Sequence, residues 1–290
     1  SIASTTANGA YRAGATVTLQ VVFSEAVDVS GSPTLALNSG GTATYTSGAG
    51  GTTLIFTYVI GSGQSSSDLD VASQAALLLN GGRLQSVGTA KDAILTLPLP
   101  GGTGSLGANR DLVIDTTAPT IVAVNSTTTD GAYGAGGTID VRVTFSEPVM
   151  ASGSPKLTLE TGAVDRDATN VSGSGTATLV FSYQVQAGDV SGDLDYQSAT
   201  ALAGTYDDAA GNAAVTTLPT PGASGSLGAN RALVIDTSVP SITNVTATNA
   251  NGAYDLGANI DVTITFTENV TVTGTPLLQL ETGATDRAAQ

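Results

Sequence analysis

The sequence predicts an all-β fold, a row of tandem antiparallel β-sandwich domains. Three observations predict it. Long stretches recur along the chain at a nearly fixed offset. Apolar and polar residues alternate with period two inside each recurrence. Glycine-rich turns separate the alternating runs.

The recurrence defines the domains. Gly104-Ser105-Leu106-Gly107-Ala108-Asn109-Arg110 returns unchanged at Gly225 to Arg231, 121 residues later. Leu112-Val113-Ile114-Asp115-Thr116 returns as Leu233-Val234-Ile235-Asp236-Thr237. Phe23-Ser24-Glu25 returns as Phe145-Ser146-Glu147 and again as Phe266-Thr267-Glu268. Asn8-Gly9-Ala10-Tyr11 becomes Asp130-Gly131-Ala132-Tyr133, then Asn251-Gly252-Ala253-Tyr254. A period this long suits an autonomous domain rather than a solenoid coil. Boundaries fall at Ala118-Pro119 and Val239-Pro240, where proline blocks strand continuation. The expected domains are 1–118, 119–239 and 240–290, the last being the N-terminal part of a third unit. On that reading the chain is an internal stretch of something longer. Linkers this short suggest a rod.

Alternation gives the strands. Ile139, Val141, Val143 and Phe145 share one face, with Asp140, Arg142 and Thr144 on the other. Val17, Leu19, Val21 and Phe23 repeat that face, as do Ile260, Val262, Ile264 and Phe266. A second strand is Leu179, Phe181, Tyr183 and Val185, matched by Leu54, Phe56, Tyr58 and Ile60. One apolar face at period two means antiparallel sheets over a core. Turns such as Ser172-Gly173-Ser174-Gly175 separate them. Each repeat is therefore expected to be an Ig-like or cadherin-like sandwich. No stretch has helical periodicity, although Val71 to Leu79 has room for a short turn.

Composition excludes several functions. Lys plus Arg total 9 against 24 Asp plus Glu, a formal net charge of −15. Nucleic acid and anionic membrane surfaces need the opposite balance. With no Cys and no His, thiol chemistry, disulfides, a Ser-His-Asp triad and the usual zinc or copper sites are absent. Carboxylate pairs hydrolyse glycosides in other proteins. Here the acids sit in repeated loops, and the chain has no Trp to line a sugar cleft. No apolar run approaches the roughly 18 residues of a membrane span, and no signal peptide begins at Ser1. The chain is expected not to be an enzyme.

Segments such as Val113-Ile114-Asp115-Thr116-Thr117-Ala118-Pro119, Phe23-Ser24-Glu25-Ala26-Val27, Asp193-Leu194-Asp195-Tyr196 and Asp208-Ala209-Ala210-Gly211-Asn212 carry a resemblance. The chain resembles the bacterial Ig-like repeats of giant surface adhesins and other very long secreted proteins, over its whole length. The resemblance implies an extracellular or cell-surface setting. It also implies a stalk of stacked domains, frequently stiffened by calcium, with adhesive or anchoring modules elsewhere.

Calcium is the one cofactor the residues invite, because it takes six to eight oxygen ligands. Asp68-Leu69-Asp70 matches Asp193-Leu194-Asp195, and an Asp-x-Asp pair on extended chain puts both carboxylates on one side. Glu25, Glu147 and Glu268 each end a core strand, and Asp115 and Asp236 precede the junctions. This arrangement is similar to that of cadherins, where such acids gather calcium between domains. Asp207, Asp208 and Asn212 form a second candidate loop; repeat 1 has Lys91-Asp92-Ala93 there and lacks Gly-Asn. Against all of these stands the plain alternative that Asp and Asn are ordinary turn formers.

Other features have ordinary readings. Asp165-Arg166 and Asp286-Arg287 read as surface ion pairs, with a contact to a neighbouring domain or chain as the alternative. Tyr11, Tyr133 and Tyr254 follow turns and are expected to cap the domain end with a bonded hydroxyl, or else to stack on sugars. Sequons at Asn125, Asn170, Asn244 and Asn269 arise by chance in a Thr- and Ser-rich chain.

The expected function is a structural spacer of a large surface adhesin, matrix protein or filament, with partners in neighbouring repeats. One alternative is a module whose loops bind glycan or a host or cell-surface protein. The other is a filament or surface-layer subunit, completed by a strand from another copy.

Overall fold

A computed structural model describes all 290 residues, Ser1–Gln290. The chain is nearly all-β, 46 % strand against 3 % helix, and its sheets are mainly antiparallel. In residues 1–118 the order is β1 (Ile2–Ser4), β2 (Gly9–Tyr11), β3 (Thr16–Ser30), β4 (Thr34–Ala36), β5 (Thr42–Ser47), β6 (Gly51–Val59), β7 (Leu77–Leu78), β8 (Arg83–Ser86), α1 (Leu106–Asn109) and β9 (Leu112–Ile114). Residues 119–239 hold β10 (Ile121–Ser126), β11 (Gly131–Tyr133), β12 (Thr138–Leu159), β13 (Arg166–Ser172), β14 (Thr176–Gln184), β15 (Val190–Ser191), β16 (Leu202–Asp207), α2 (Leu227–Asn230) and β17 (Leu233–Asp236). The remainder holds β18 (Ile242–Ala247), β19 (Val262–Phe266), β20 (Leu278–Leu280) and β21 (Arg287–Ala289).

One long strand organises each unit. The first half of β3 pairs with β1 and β6, and its second half pairs with β8. In the same way β12 pairs first with β10 and β14, then with β16 and β13. Each switch of partners coincides with a break in register, between Val22 and Val27 and between Thr144 and Val149. Extra residues on one strand bend it and increase its twist, so a single strand pairs with one set of neighbours before the bend and another after it.

Two separate apolar cores result, one drawn from Ile2 to Ile114 and the other from Val124 to Ile235. Ile139, Val141, Val143 and Phe145 are all buried, as are Leu179, Phe181, Tyr183 and Val185. Burying side chains of this size stabilises by about 1.5–3 kcal/mol each. In residues 240–290 the corresponding face is open. Strand β19 begins only at Val262, Ile260 is exposed, and Ile264 and Phe266 are half-buried. No strand among these residues covers them as β14 covers β12.

The unchanged Gly104–Arg110 motif closes the unit. The amide of Ile2 donates to the Gly104 carbonyl at 2.7 Å, Asn109 Nδ2 donates to the Ile2 carbonyl at 2.7 Å, and Arg110 Nε to the Ser4 carbonyl at 2.8 Å. In the second unit Val124 donates to Gly225 O, Asn230 to Val124 O and Arg231 to Ser126 O. The first strand of each unit is thus stitched to its last segment. Beside it, β2 runs parallel to β9, and β11 parallel to β17. Parallel pairing is possible here because nearly the whole unit forms the crossover.

Val71–Leu79 holds a turn at Gln74–Ala75, closed by Ala76 N to Ser73 O at 3.1 Å, beside the short β7; helical turns occur at α1 and α2. Ser105 Oγ and Ser226 Oγ accept from the amides of Ala108 and Ala229 at 3.2 Å, which fixes each turn by capping. Four residues are too few to show helical periodicity.

Candidate metal centre at the first junction

Three carboxylates converge where the first unit meets the second. Asp115 follows β9, with its amide bonded to the Tyr11 carbonyl and its Oδ1 accepting from the Thr117 amide at 3.0 Å. Glu147 lies inside the register break of β12. Asp208 begins the turn after β16. That turn is closed by Asp208 N to Asn212 O at 3.1 Å, and the Asp208 carboxylate accepts from the Asn212 amide at 2.8 Å and from Asn212 Nδ2 at 2.7 Å. One oxygen from each of Asp115, Glu147 and Asp208 lies within 4.8 Å of the others.

The junction also has direct contacts. Asn212 Nδ2 donates to the Asp115 carbonyl at 3.0 Å, and Arg12 Nη1 donates to the Gly211 carbonyl at 2.7 Å. The linker is threaded into the second unit. Val215 donates to Pro119 O, Ser146 N to Thr120 O, and Thr120 N to Ser146 Oγ.

The electrostatics leave the cluster negative. None of its three acids belongs to an ion pair of the chain. Burial pushes the Glu147 carboxyl above the usual carboxylate range, and the charges of Asp115 and Asp208 push it further. A hard cation binding oxygens at about 2.3–2.6 Å spans oxygens up to about 5 Å apart. The donor set, three carboxylates with no nitrogen or sulfur among them, fits such an ion.

The other predicted ligands lie elsewhere. Both carboxylates of Asp68 and Asp70 lie against Gly107, where an added Cβ would meet Asp68 Oδ2 at 2.8 Å and Asp70 Oδ2 at 3.1 Å. Asp70 is buried and taken up by backbone amides: Val71 and Leu106 donate to Oδ1, Gly101 and Gly107 to Oδ2. Asp195 likewise accepts from the amides of Tyr196 and Gly222. Asp68 and Asp193 are exposed at the rim, both raised first by burial and then by neighbouring aspartates. Neither pair belongs to the acidic triad. Asp207 is spent on the β16 edge opposite Met150.

Glu25 and Glu147 do not end their strands, since both lie within β3 and β12 at the bend. Glu25 accepts from Ser86 Oγ at 2.9 Å. The strand register puts Ser86 where the second unit has Asp208: Asp28 opposes Gln85 as Met150 opposes Asp207. Lys91-Asp92 is therefore not the counterpart of Asp207-Asp208. The first-unit turn is one residue longer, closed by Ser86 N to Lys91 O, and the shared Asp-Ala pair conceals the shift. At the second junction Asp236 is exposed and Glu268 half-buried. Asp236 is lowered by the Ser238 amide and hydroxyl, and no third acid joins them among these residues.

Two residues with defined roles escaped the sequence reading. Arg12 stands alone, with Gly134 and Asp255 after the matching tyrosines. Asp189 is the partner of Arg166, at 2.9 Å, so Asp165-Arg166 is not the ion pair. Buried Asp189 also accepts from the Tyr183 hydroxyl at 2.7 Å and the Gln186 amide at 2.9 Å. In the first unit neutral Gln64 takes this place, accepting from the Tyr58 hydroxyl and the Gly61 amide, and Ser39 Oγ bonds the same hydroxyl. The hydroxyls of Tyr11, Tyr133 and Tyr254 each donate to the carbonyl four residues back.

A scan of protein-family models finds none that matches this chain, and a search of curated proteins finds no matching relative.

Proposed function

We propose that the chain is a non-enzymatic run of stacked Ig-like or cadherin-like sandwich domains, bounded near Pro119 and Pro240. They act as a spacer in a large extracellular or cell-surface protein, and the first junction takes calcium. The observation that carries this reading is the junction itself. Asp115 from one core and Glu147 and Asp208 from the next lie within 4.8 Å with no cationic side chain paired to them. Bound there, calcium would neutralise the repulsion and tie the two units together. Asp115, Glu147 and Asp208 would hold it, with Asn212 fixing Asp208. The test is calorimetric titration of the full chain with calcium, beside thermal unfolding in calcium and in chelator. Saturable binding lost in Asp208→Asn supports the reading. An unchanged transition and no binding heat would sink it.

A further inference from the structure

We propose that Arg12 clasps the first junction shut without any cation. The proposal goes beyond the calcium reading and stands without it. At the first junction, Arg12 reaches from the end of β2 across to the turn that follows β16. Its Nη1 donates to the Gly211 carbonyl at 2.7 Å. Its stem lies over the same glycine, whose missing Cβ would sit 3.9 Å from Arg12 Cδ. From the opposite side of that turn, Asn212 Nδ2 donates back to the Asp115 carbonyl. The turn is therefore gripped on both flanks by the first unit, through Arg12 on one strand and Asp115 on its parallel neighbour β9. Those two strands are themselves joined, since the Asp115 amide donates to the Tyr11 carbonyl.

The guanidinium binds a carbonyl and none of the three nearby carboxylates. It thus closes the junction while leaving the acids unneutralised. Arginine suits this task because its long stem covers apolar surface and its charge does not titrate. At the second junction the matching position is Gly134, which has no side chain to reach with.

The experiment measures spin-label distances in the full chain, held in excess chelator. The chain has no native cysteine, so pairs of introduced ones give unambiguous labels. Ser47→Cys with Ser172→Cys spans the first junction, and both positions are exposed. The expected result is a narrow distribution. Arg12→Ala should widen it, with the melting temperature unchanged, because Arg12 is exposed. Arg12→Lys, which still donates, should keep part of the narrowing. A broad distribution in the parent chain, or one indifferent to Arg12→Ala, overturns the proposal. Failure to bind calcium would leave these chelator measurements untouched, so the two ideas fail separately.

Discussion

The buried hydroxyls of Tyr58 and Tyr183 face the same structural demand and meet it with different chemistry. In the first unit a neutral amide, Gln64, accepts the hydrogen bond; in the second the carboxylate of Asp189 does, with Arg166 as its counterion. Burial alone would raise the Asp189 carboxyl. The bonds from Tyr183, the Gln186 amide and Arg166 outweigh it and hold the group below the ordinary range. A depressed value means stability that is present above the unfolded carboxylate range and lost as pH falls through the folded value. Arg166→Ala should therefore cost about 3 kcal/mol in urea unfolding at neutral pH and move acid unfolding of the second unit to higher pH. The double variant Arg166→Ala with Asp189→Gln copies the neutral arrangement of Gln64 and should recover most of the loss. The adjacency of Asp165 and Arg166 suggested a local pair, whereas the true partner comes from beyond the next strand. The exchange of Gln64 for Asp189 between repeats was the available signal. Asp70 was legible as an acid at a fixed place but not in its role, because its four donors come from segments up to 37 residues away. Asp70→Ala should cost about 3 kcal/mol by stranding buried amides, equally in calcium and in chelator, in denaturant titrations of the full chain.

At the level of the element, the hairpin between β13 and β14 depends on one glycine. Gly173 has φ +100°, and a Cβ there would meet the Thr178 carbonyl oxygen at 2.1 Å. Gly175, two residues on at φ +86°, would meet only Met150 Sδ at 3.6 Å. Gly173→Ala should therefore cost about 3 kcal/mol and Gly175→Ala about 1 kcal/mol, separable by chemical denaturation of the two variants. Strands with strict alternation, such as Ile139 to Phe145, were plain in the sequence because burial on one face writes itself at period two. The bend inside β12 was not. Ser146-Glu147-Pro148 breaks the alternation and looks like a strand end, yet the backbone continues as strand into Val149 and beyond. The bend places Glu147 beside Asp115 and Asp208, a cluster that the misjudged strand end did not reveal.

For the whole molecule, the repeat length was the signal for two separate cores, and Asp115 and Glu147 were both among the acids the sequence offered. The misassignment of Lys91-Asp92 came from matching letters where only the strand register, Asp28 to Gln85, shows the correspondence. The junction yields a prediction with opposite signs. Ionised Glu147 is disfavoured by burial and by Asp115 and Asp208, so without a cation it lowers stability above its raised folded value. As pH falls through that value toward the unfolded one, this penalty is relieved. Glu147→Gln should accordingly raise the melting temperature in chelator and abolish any further rise on adding calcium, as read by calorimetry at neutral pH.

The parallel neighbours β2 and β9 give each unit a direction in which it is strong. The chain enters near one and leaves just after the other, so a pull on the two ends drags these strands past each other along their length. The pairs Gly9–Leu112, Ala10–Val113 and Tyr11–Ile114, with the Asn109 and Arg110 stitches beside them, then carry the load in shear and give way together instead of one at a time. In the proposed spacer role such units set a force threshold: once the junctions are drawn straight, the chain lengthens further only when a whole unit yields.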